Sequence, residues 1–382
     1  MQARPAAVRR QGGRLGSGTM SRTDARERRA APGAPGARPT LSAVARLAGV
    51  SPSTASLAFS GSGPVSEDAR RRVLDAAATL GYAGPDPRAR SLRRGRSGIV
   101  GIVLEDSLST AFRDPVNIAM LDGLSDVVGA AGASLLLLPE LVDGRPRLLD
   151  APLDAAVLFG CSIRIGDTVE VVRRRGIPVV AIEGPPLDGV LDVGLDNREA
   201  SRALAEHLRD LGHRRVAVVT LELGPTRRVG PVTPEREAGG TSWTTLERLR
   251  GVRDVFPDAP ATTTTGSLVD EGRRAARELL DVAAADRPTA VVAQSDLLAA
   301  GVVAAAADLG LSVPGDVSVV GFDGIRVDDP RAASLTTMAQ PSHEKGRAAG
   351  RAVLAMLDGG HPEPVAFHST FRRGTTTGPA PA

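Results

Sequence analysis

The chain is 382 residues long, enough for two or three domains with large cores, and its single cysteine excludes an intramolecular disulfide. Its net charge of +3 conceals an asymmetry: the first 98 residues hold 18 Arg against 6 acids, a net of +12, and the remainder carries −9. A basic front on an acidic body suits a nucleic-acid-binding head on a soluble core, and no run approaches the roughly 18 apolar residues of a membrane span, so a cytoplasmic location is expected. Residues 1–38 are Arg, Gly, Ala and Pro with little apolar periodicity, which predicts disorder. They hold no apolar secretory segment, and Met20 offers a second start of translation.

The stretch 40–60, TLSAVARLAGVSPSTASLAFS, predicts two short helices around a tight turn. Thr40 caps the first, Leu41, Val44, Ala45 and Ala48 recur at helical spacing, and Gly49 closes it in the left-handed conformation. Ser51-Pro52 starts the second, since serine is a favoured cap and proline fits a first turn. Its exposed face carries Ser53, Thr54 and Ser56, small hydroxyl side chains that let a helix approach a major groove closely. An ordinary helical hairpin is the plainer reading of this stretch alone. Ser66-Glu67-Asp68 then opens a third helix with Ala69, Val73, Ala76 and Leu80 on one face and Gly81 at its end. Beyond Pro85-Asp86-Pro87, the run RARSLRRGR surrounds Leu92 with five arginines.

These pieces, LSAVARLAGVSPSTAS, VSEDARRRVLDAAATLGY and ARSLRRGR, resemble in order and spacing the headpiece and hinge of the LacI family of transcriptional regulators. From Gly98 the pattern becomes apolar runs alternating with amphipathic helices. Strands are expected at 99–104, 135–138, 156–159, 177–182, 216–220, 290–293 and 317–320, and helices at 115–128, 168–175, 197–211, 245–255, 270–282, 297–309 and 341–357. That alternation means parallel sheets covered on both faces, in two sets and hence two doubly wound lobes. Residues 221–241, rich in Gly, Pro and Arg, read as a loop, and His213 in LGHRR as a turn residue. The segments GIPVVAIEG, VGLDNREASRALAEHLRDLGHRRVAVV, TAVVAQSDLLAAGVVAAAADLGLSVPGDVSVVGFDG and SLTTMAQP extend the resemblance nearly to the end of the chain.

The resemblance implies a fold class of a small all-α helix–turn–helix headpiece on an α/β core of two parallel-sheet lobes like a periplasmic binding protein. The expected domains are a basic tail 1–38, a DNA-binding headpiece 39–85, a hinge helix 86–97 and an effector-binding, dimerising body 98–376. Within the body, lobe 1 takes about 98–195 and 341–365, and lobe 2 takes 196–340 and 366–376. Ser53, Thr54, Ser56 and Leu57 are candidate groove contacts. Leu57 stands where many relatives carry an arginine that reads guanine; leucine offers apolar contact to a thymine methyl, or packs within the headpiece. Leu92 matches the leucine that wedges into the minor groove, with Arg88, Arg90 and Arg93 beside it for phosphates.

For the cleft, the resemblance carries over to Glu183, Asp196, Arg248, Ser295, Asp323 and Gln340. Relatives commonly have aspartate at Glu183 and asparagine at Ser295, so the contact chemistry differs here. Arg248 offers a forked donor, and Glu183 and Asp323 accept from hydroxyls or amines. Phe112 and Trp243 are aromatic candidates for stacking on a ligand or for packing. The set suits a sugar, a nucleoside or another small hydroxylated metabolite.

The function expected is a DNA-binding regulator, a repressor gated by that metabolite, acting as a homodimer on a palindromic operator. A solute-binding protein for transport shares the lobes but has no use for the headpiece. An enzyme is not expected: Lys345 in HEKGRAAG lacks the glycine spacing of a phosphate loop, no G-x-S-x-G elbow occurs, and the five histidines show no metal spacing. No cofactor and no membrane partner is expected. Cys161, beside no acid–base partner, reads as structural. The short tail after Gly374 holds no heptads, which points to a dimer without a coiled-coil tetramer.

Overall fold

The computed structural model describes residues 39–61, 63–84, 95–104, 108–142, 145–160, 165–224 and 228–381. They fall into two units, divided between Pro87 and Arg88. In the first, helices α1 (Leu41–Ala48), α2 (Pro52–Ser60) and α3 (Glu67–Leu80) form where their caps dictate. Thr40, Ser51 and Ser66 each accept a backbone N–H three residues on, and Gly49, Gly61 and Gly81 close the helices at positive φ. The core is made of small residues: Val44, Ala45, Ala55, Ala58, Val73, Ala76 and Ala77 are buried. Phe59 and Tyr82 close it edge to face, with centroids 5.5 Å apart.

The second unit begins with β1 (Ile99–Leu104), α4 (Leu108–Ala111), α5 (Pro115–Ala130), β2 (Ser134–Pro139), the short β3 (Leu141–Val142) and β4 (Arg145–Pro146), and β5 (Ala155–Phe159). It continues through α6 (Gly166–Arg174), β6 (Val179–Ile182), β7 (Leu191–Leu195), α7 (Asn197–Asp210), β8 (Val216–Thr220), β9 (Gly230–Pro231), α8 (Pro234–Ala238) and α9 (Trp243–Arg253). Then come β10 (Ala261–Thr263), α10 (Val269–Leu280), β11 (Ala290–Ala293), α11 (Asp296–Asp308), β12 (Ser318–Asp323), β13 (Thr336–Ala339), α12 (Ser342–Leu357), β14 (Val365–Phe367) and β15 (Thr370–Arg372).

Two sheets result. The first runs β14-β7-β6-β5-β1-β2, all parallel; the second runs β15-β13-β12-β11-β8-β10-β9, parallel with antiparallel edges at β15 and β9. Each sheet is apolar on both faces because helices cover both. Leu124 and Val353 pack one face of the first sheet and Val169 and Val172 the other. Leu280 and Val302 cover one face of the second, and Leu204, Leu208 and Leu249 the opposite one.

Several expectations need correction. The last return to the first lobe runs to Phe367, not 365, because Ala366 and Phe367 pair with Gly194 and Leu195. Residues 221–241 are not all loop: they hold β9 and α8, the latter capped by Thr233. The strands at β7, β10 and β13 to β15 escape periodicity because they are only three to five residues long. His213 is more than a turn residue. Its ring is fully buried, with Nδ1 2.9 Å from Thr289 Oγ1 and Nε2 3.1 Å from both Ser318 Oγ and the Gly378 carbonyl. Burial lowers its pKa, so it stays neutral and pins the chain end. The tail is accordingly part of the second lobe: Val319 donates to the Thr376 carbonyl and Ala380 to that of Leu211.

The two long helices of the first lobe, α5 and α12, touch backbone to backbone. A Cβ on Gly123 would lie 2.0 Å from the His343 carbonyl oxygen, and one on Gly346 2.0 Å from that of Met120. Gly123→Ala should therefore destabilise by about 1–3 kcal/mol through overpacking, read as a lower denaturation midpoint. Gly129→Ala on the same helix meets nothing within 4 Å and should be neutral or slightly stabilising. Equal effects would mean the crossing is not tight.

Candidate functional site

In the headpiece, α2 turns Ala55 and Ala58 inward and leaves Ser53 exposed, with Thr54 and Ser56 half-buried beside it. The Ser51 hydroxyl accepts from Thr54 N at 3.0 Å and lies 2.8 Å from both Ser53 Oγ and Thr54 Oγ1. This hydroxyl cluster sits at the first turn, where a reading helix meets base edges. Leu57 is half-buried, and a Cβ on Gly63 would come within 2.9 Å of its methyl, so it packs on the turn after α2. Arg88, Arg90, Leu92 and Arg93 lie outside the described residues, as does Cys161. The chain beyond them is anchored where Asp154 accepts from Ser97 N, Ser97 Oγ and Gly98 N at 2.7–2.9 Å.

Between the two sheets lies a cavity of about 130 Å³. Its polar lining includes Glu183, Ser295, Asp323 and Gln340 at or just past strand carboxyl ends, and Arg248 on α9. Strand carboxyl ends are where open α/β sheets leave room for ligands. Glu183 and Asp323 are the non-glycine residues with positive φ among those described, at 55° and 117°. Strained backbone persists where surrounding bonds over-determine it, and here they do.

Arg248 is the centre of that bonding. Nε donates to Asn197 Oδ1 at 2.7 Å and Nη1 to the Gln294 carbonyl at 2.6 Å. The guanidinium lies 3.8 Å from Glu183, 3.6 Å from Asp323 and 3.7 Å above the Phe322 ring. Asn197 Nδ2 donates to Glu183 Oε2 at 2.7 Å, and the ammonium of Lys345 donates to Glu183 Oε1 and to Gln340 Oε1. Gln340 Nε2 in turn donates to Asp323 Oδ1 at 2.7 Å. Five of the six carried-over cleft residues thus line one cavity, Ser295 also capping α11 through Leu298 N.

Asp196 does not line it. Its carboxylate accepts from Ser369 N and Oγ at 2.9 and 2.8 Å, tying the first crossing between the lobes to the last. Phe112 is 58% exposed, and neither it nor Trp243 lines the cavity.

The chemistry follows from burial. Burial pushes the Glu183 carboxyl up, but Lys345 and Arg248 outweigh it and hold the group below the ordinary glutamate value. Asp323 goes the other way: burial pushes it well above the usual range, opposed by Arg248 and reinforced by Asp296 and Asp114. Asp296, fully buried, is raised to about 7 by burial against bonds from Thr337 and Ile325. The cavity therefore presents acceptors and a fixed cation, a surface for hydroxyls.

Residues 40–84 match the bacterial regulatory proteins of the lacI family, and residues 205–376 match the periplasmic binding protein-like domain. HTH-type transcriptional regulator Rv3575c of Mycobacterium tuberculosis is 36% identical over 363 residues, 90% of this chain and 98% of its own. The chain belongs to the LacI family. It is a DNA-binding transcriptional regulator of that family, as the names of its relatives have it. A LacI-family regulator from Corynebacterium glutamicum superposes with a TM-score of 0.65 at 29% identity, covering 88% of this chain and 98% of that one. The CelR–cellobiose complex does so with 0.60 at 26%, covering 89% and 100%. No helix among the described residues is long and apolar enough to cross a membrane.

Sequence reasoning missed Asn197, Gln294, Asp296 and Lys345. The first three are polar residues between a strand end and the first position of the following helix, with no distinguishing pattern. Lys345 carried a signal: it is the one lysine among 47 basic residues.

Asp296 sets a pH dependence. Its carboxyl ionises near 4 when unfolded and near 7 in the fold, so between those values the folded state holds a proton the unfolded state has lost. Stability should fall as pH rises from about 4 to about 7, by at most about 1.4 kcal/mol per unit, and level off above. Asp296→Asn removes this slope, so its melting curve should gain on the parent across that window. Parallel curves would show that Asp296 stays ionised.

Proposed function

We propose that this regulator is a repressor whose operator affinity is set by a small polar metabolite, sugar-like or nucleoside-like, held between the lobes. The cavity carries the reading: a closed set of donors and acceptors at strand ends, spanning both lobes, with strained backbone at Glu183 and Asp323. The cellobiose complex of a structurally similar regulator supports a sugar-like ligand. Ser53, Thr54, Ser56 and Leu57 meet the major groove, Leu57 through its exposed part against a thymine methyl. Arg88, Arg90 and Arg93 meet phosphates around a minor-groove wedge at Leu92. The protein acts as a homodimer on a two-fold operator, and the effector works through its different affinity for two states of the body.

Gel shifts on the chain's own upstream DNA test this. Binding should weaken steeply with salt. Ser53→Glu adds a negative charge to an exposed position and should lower affinity about tenfold or more, roughly the worth of one lost contact, without changing the melting temperature. Arg248→Ala should still bind DNA but no longer respond to a metabolite extract. Failure to bind any duplex at any salt would end the reading.

A further inference from the structure

We propose that Asn117 is the residue through which the first lobe selects the effector: the molecule lies with an apolar face on that lobe and turns one polar edge to the Asn117 amide. This rests on the cavity being the effector site and adds to that reading the side chain that discriminates among ligands.

The two walls of the cavity differ in kind. The second lobe lines it with the hydroxyls of Ser242, Thr244, Ser267 and Ser295 and the Arg248 guanidinium, and among the described residues its large apolar contribution is Leu221 alone. The first lobe lines it chiefly with carbon: Leu104, Val116, Met120, Phe159 and Ile182, from β1, β5, β6 and α5. Such a wall takes the plane of a ring, and the few polar groups set into it fix orientation and specificity.

Among the described residues, three polar side chains interrupt the apolar wall, and two of them are occupied. Glu183 accepts from Asn197 and Lys345. Asp114 accepts from Val116 N at 2.9 Å and so caps α5. Asn117, in the first turn of that helix, is half-buried, and its amide makes no hydrogen bond to any described residue. Asparagine is a weaker helix former than leucine and here gains no capping bond in exchange, so helix stability does not account for it. The helix that carries it is held rigidly, since α5 meets α12 backbone to backbone at Gly123 and Gly346.

A carboxamide both donates and accepts. It can therefore take a hydroxyl of a sugar or the amide edge of a base. An analogue without that polar edge would leave the amide unpaired against an apolar wall. A polar group stranded in this way costs more than a lost methylene contact, which is how binding sites achieve their sharpest discrimination.

Operator release by the full chain tests this. The probe is the active fraction of a protein-free metabolite extract, with D-ribose and adenosine beside it to tell a sugar from a nucleoside. Half-release of Asn117→Leu should need about tenfold more of the fraction than the parent, or worse, because a bound polar group loses its partner. The rise in melting temperature that the fraction gives the parent should shrink in step. Asn117→Ser, with a shorter donor and acceptor, should recover part of the loss. Without the fraction, Asn117→Leu should melt no lower than the parent, since no internal bond is lost and leucine favours the helix. A merely structural asparagine would instead lower the melting temperature and leave the midpoint of release alone, and that result overturns the proposal. Should Asn117→Leu not fold, Asn117→Ser decides, its midpoint lying above the parent's. Release that Arg248→Ala abolishes and Asn117→Leu leaves unaltered overturns the proposal while keeping the effector reading. No release of the parent, or release that neither variant alters, strikes the effector reading and this one with it.

Discussion

The buried ion chain from Lys345 through Glu183 to Arg248 is the constraint on which the body of this protein depends. Lys345 and Glu183 belong to the first lobe, and Arg248 and Asp323 to the second. Burying charges is costly, and removing one partner of such a set leaves an uncompensated charge. The lobes are therefore held at a spacing that keeps every member partnered. Asn197 bridges Glu183 and Arg248 directly, and Gln340 relays from Lys345 to Asp323. Side-chain networks of this kind fix a unique arrangement when every member is satisfied.

Three crossings join the lobes, and the polar groups gather at them. Asp196 staples the first to the third through Ser369, Gln340 sits on the second, and Asn197 opens the helix after the first. The cavity is lined by residues on both sides of these crossings, so a ligand bound there would touch both lobes. Its influence on the body can be no larger than its difference in affinity for alternative spacings of the lobes, and the residues able to sense spacing are those of the ion chain.

The second lobe is closed by its own chain end. Thr376 bonds to Val319 and Thr336, Thr377 to Thr336, and Gly378 to His213, so a segment that looks like a polar tail supplies an edge of the core. The neutral His213 ring satisfies acceptors and donors from three segments in a place where a charged group would be penalised.

The sequence alone determined the headpiece almost residue by residue. Its information is local: caps at Thr40, Ser51 and Ser66, glycines at the three helix ends, and alanines at helical spacing act within one turn of themselves. It also determined the alternation of buried strands and helices, and through a resemblance it named Glu183, Arg248, Ser295, Asp323 and Gln340. What only the tertiary structure decided was how those residues meet. Nothing local places Lys345 against Glu183, 162 positions earlier, or turns Asp196 away from the cavity toward Ser369. Those outcomes follow from sheet order and from where the chain crosses between lobes, and crossings are set by the packing of whole helices such as α5 on α12. A charge read in sequence carries no partner; the fold assigns one, because a buried charge without a partner is too costly to keep.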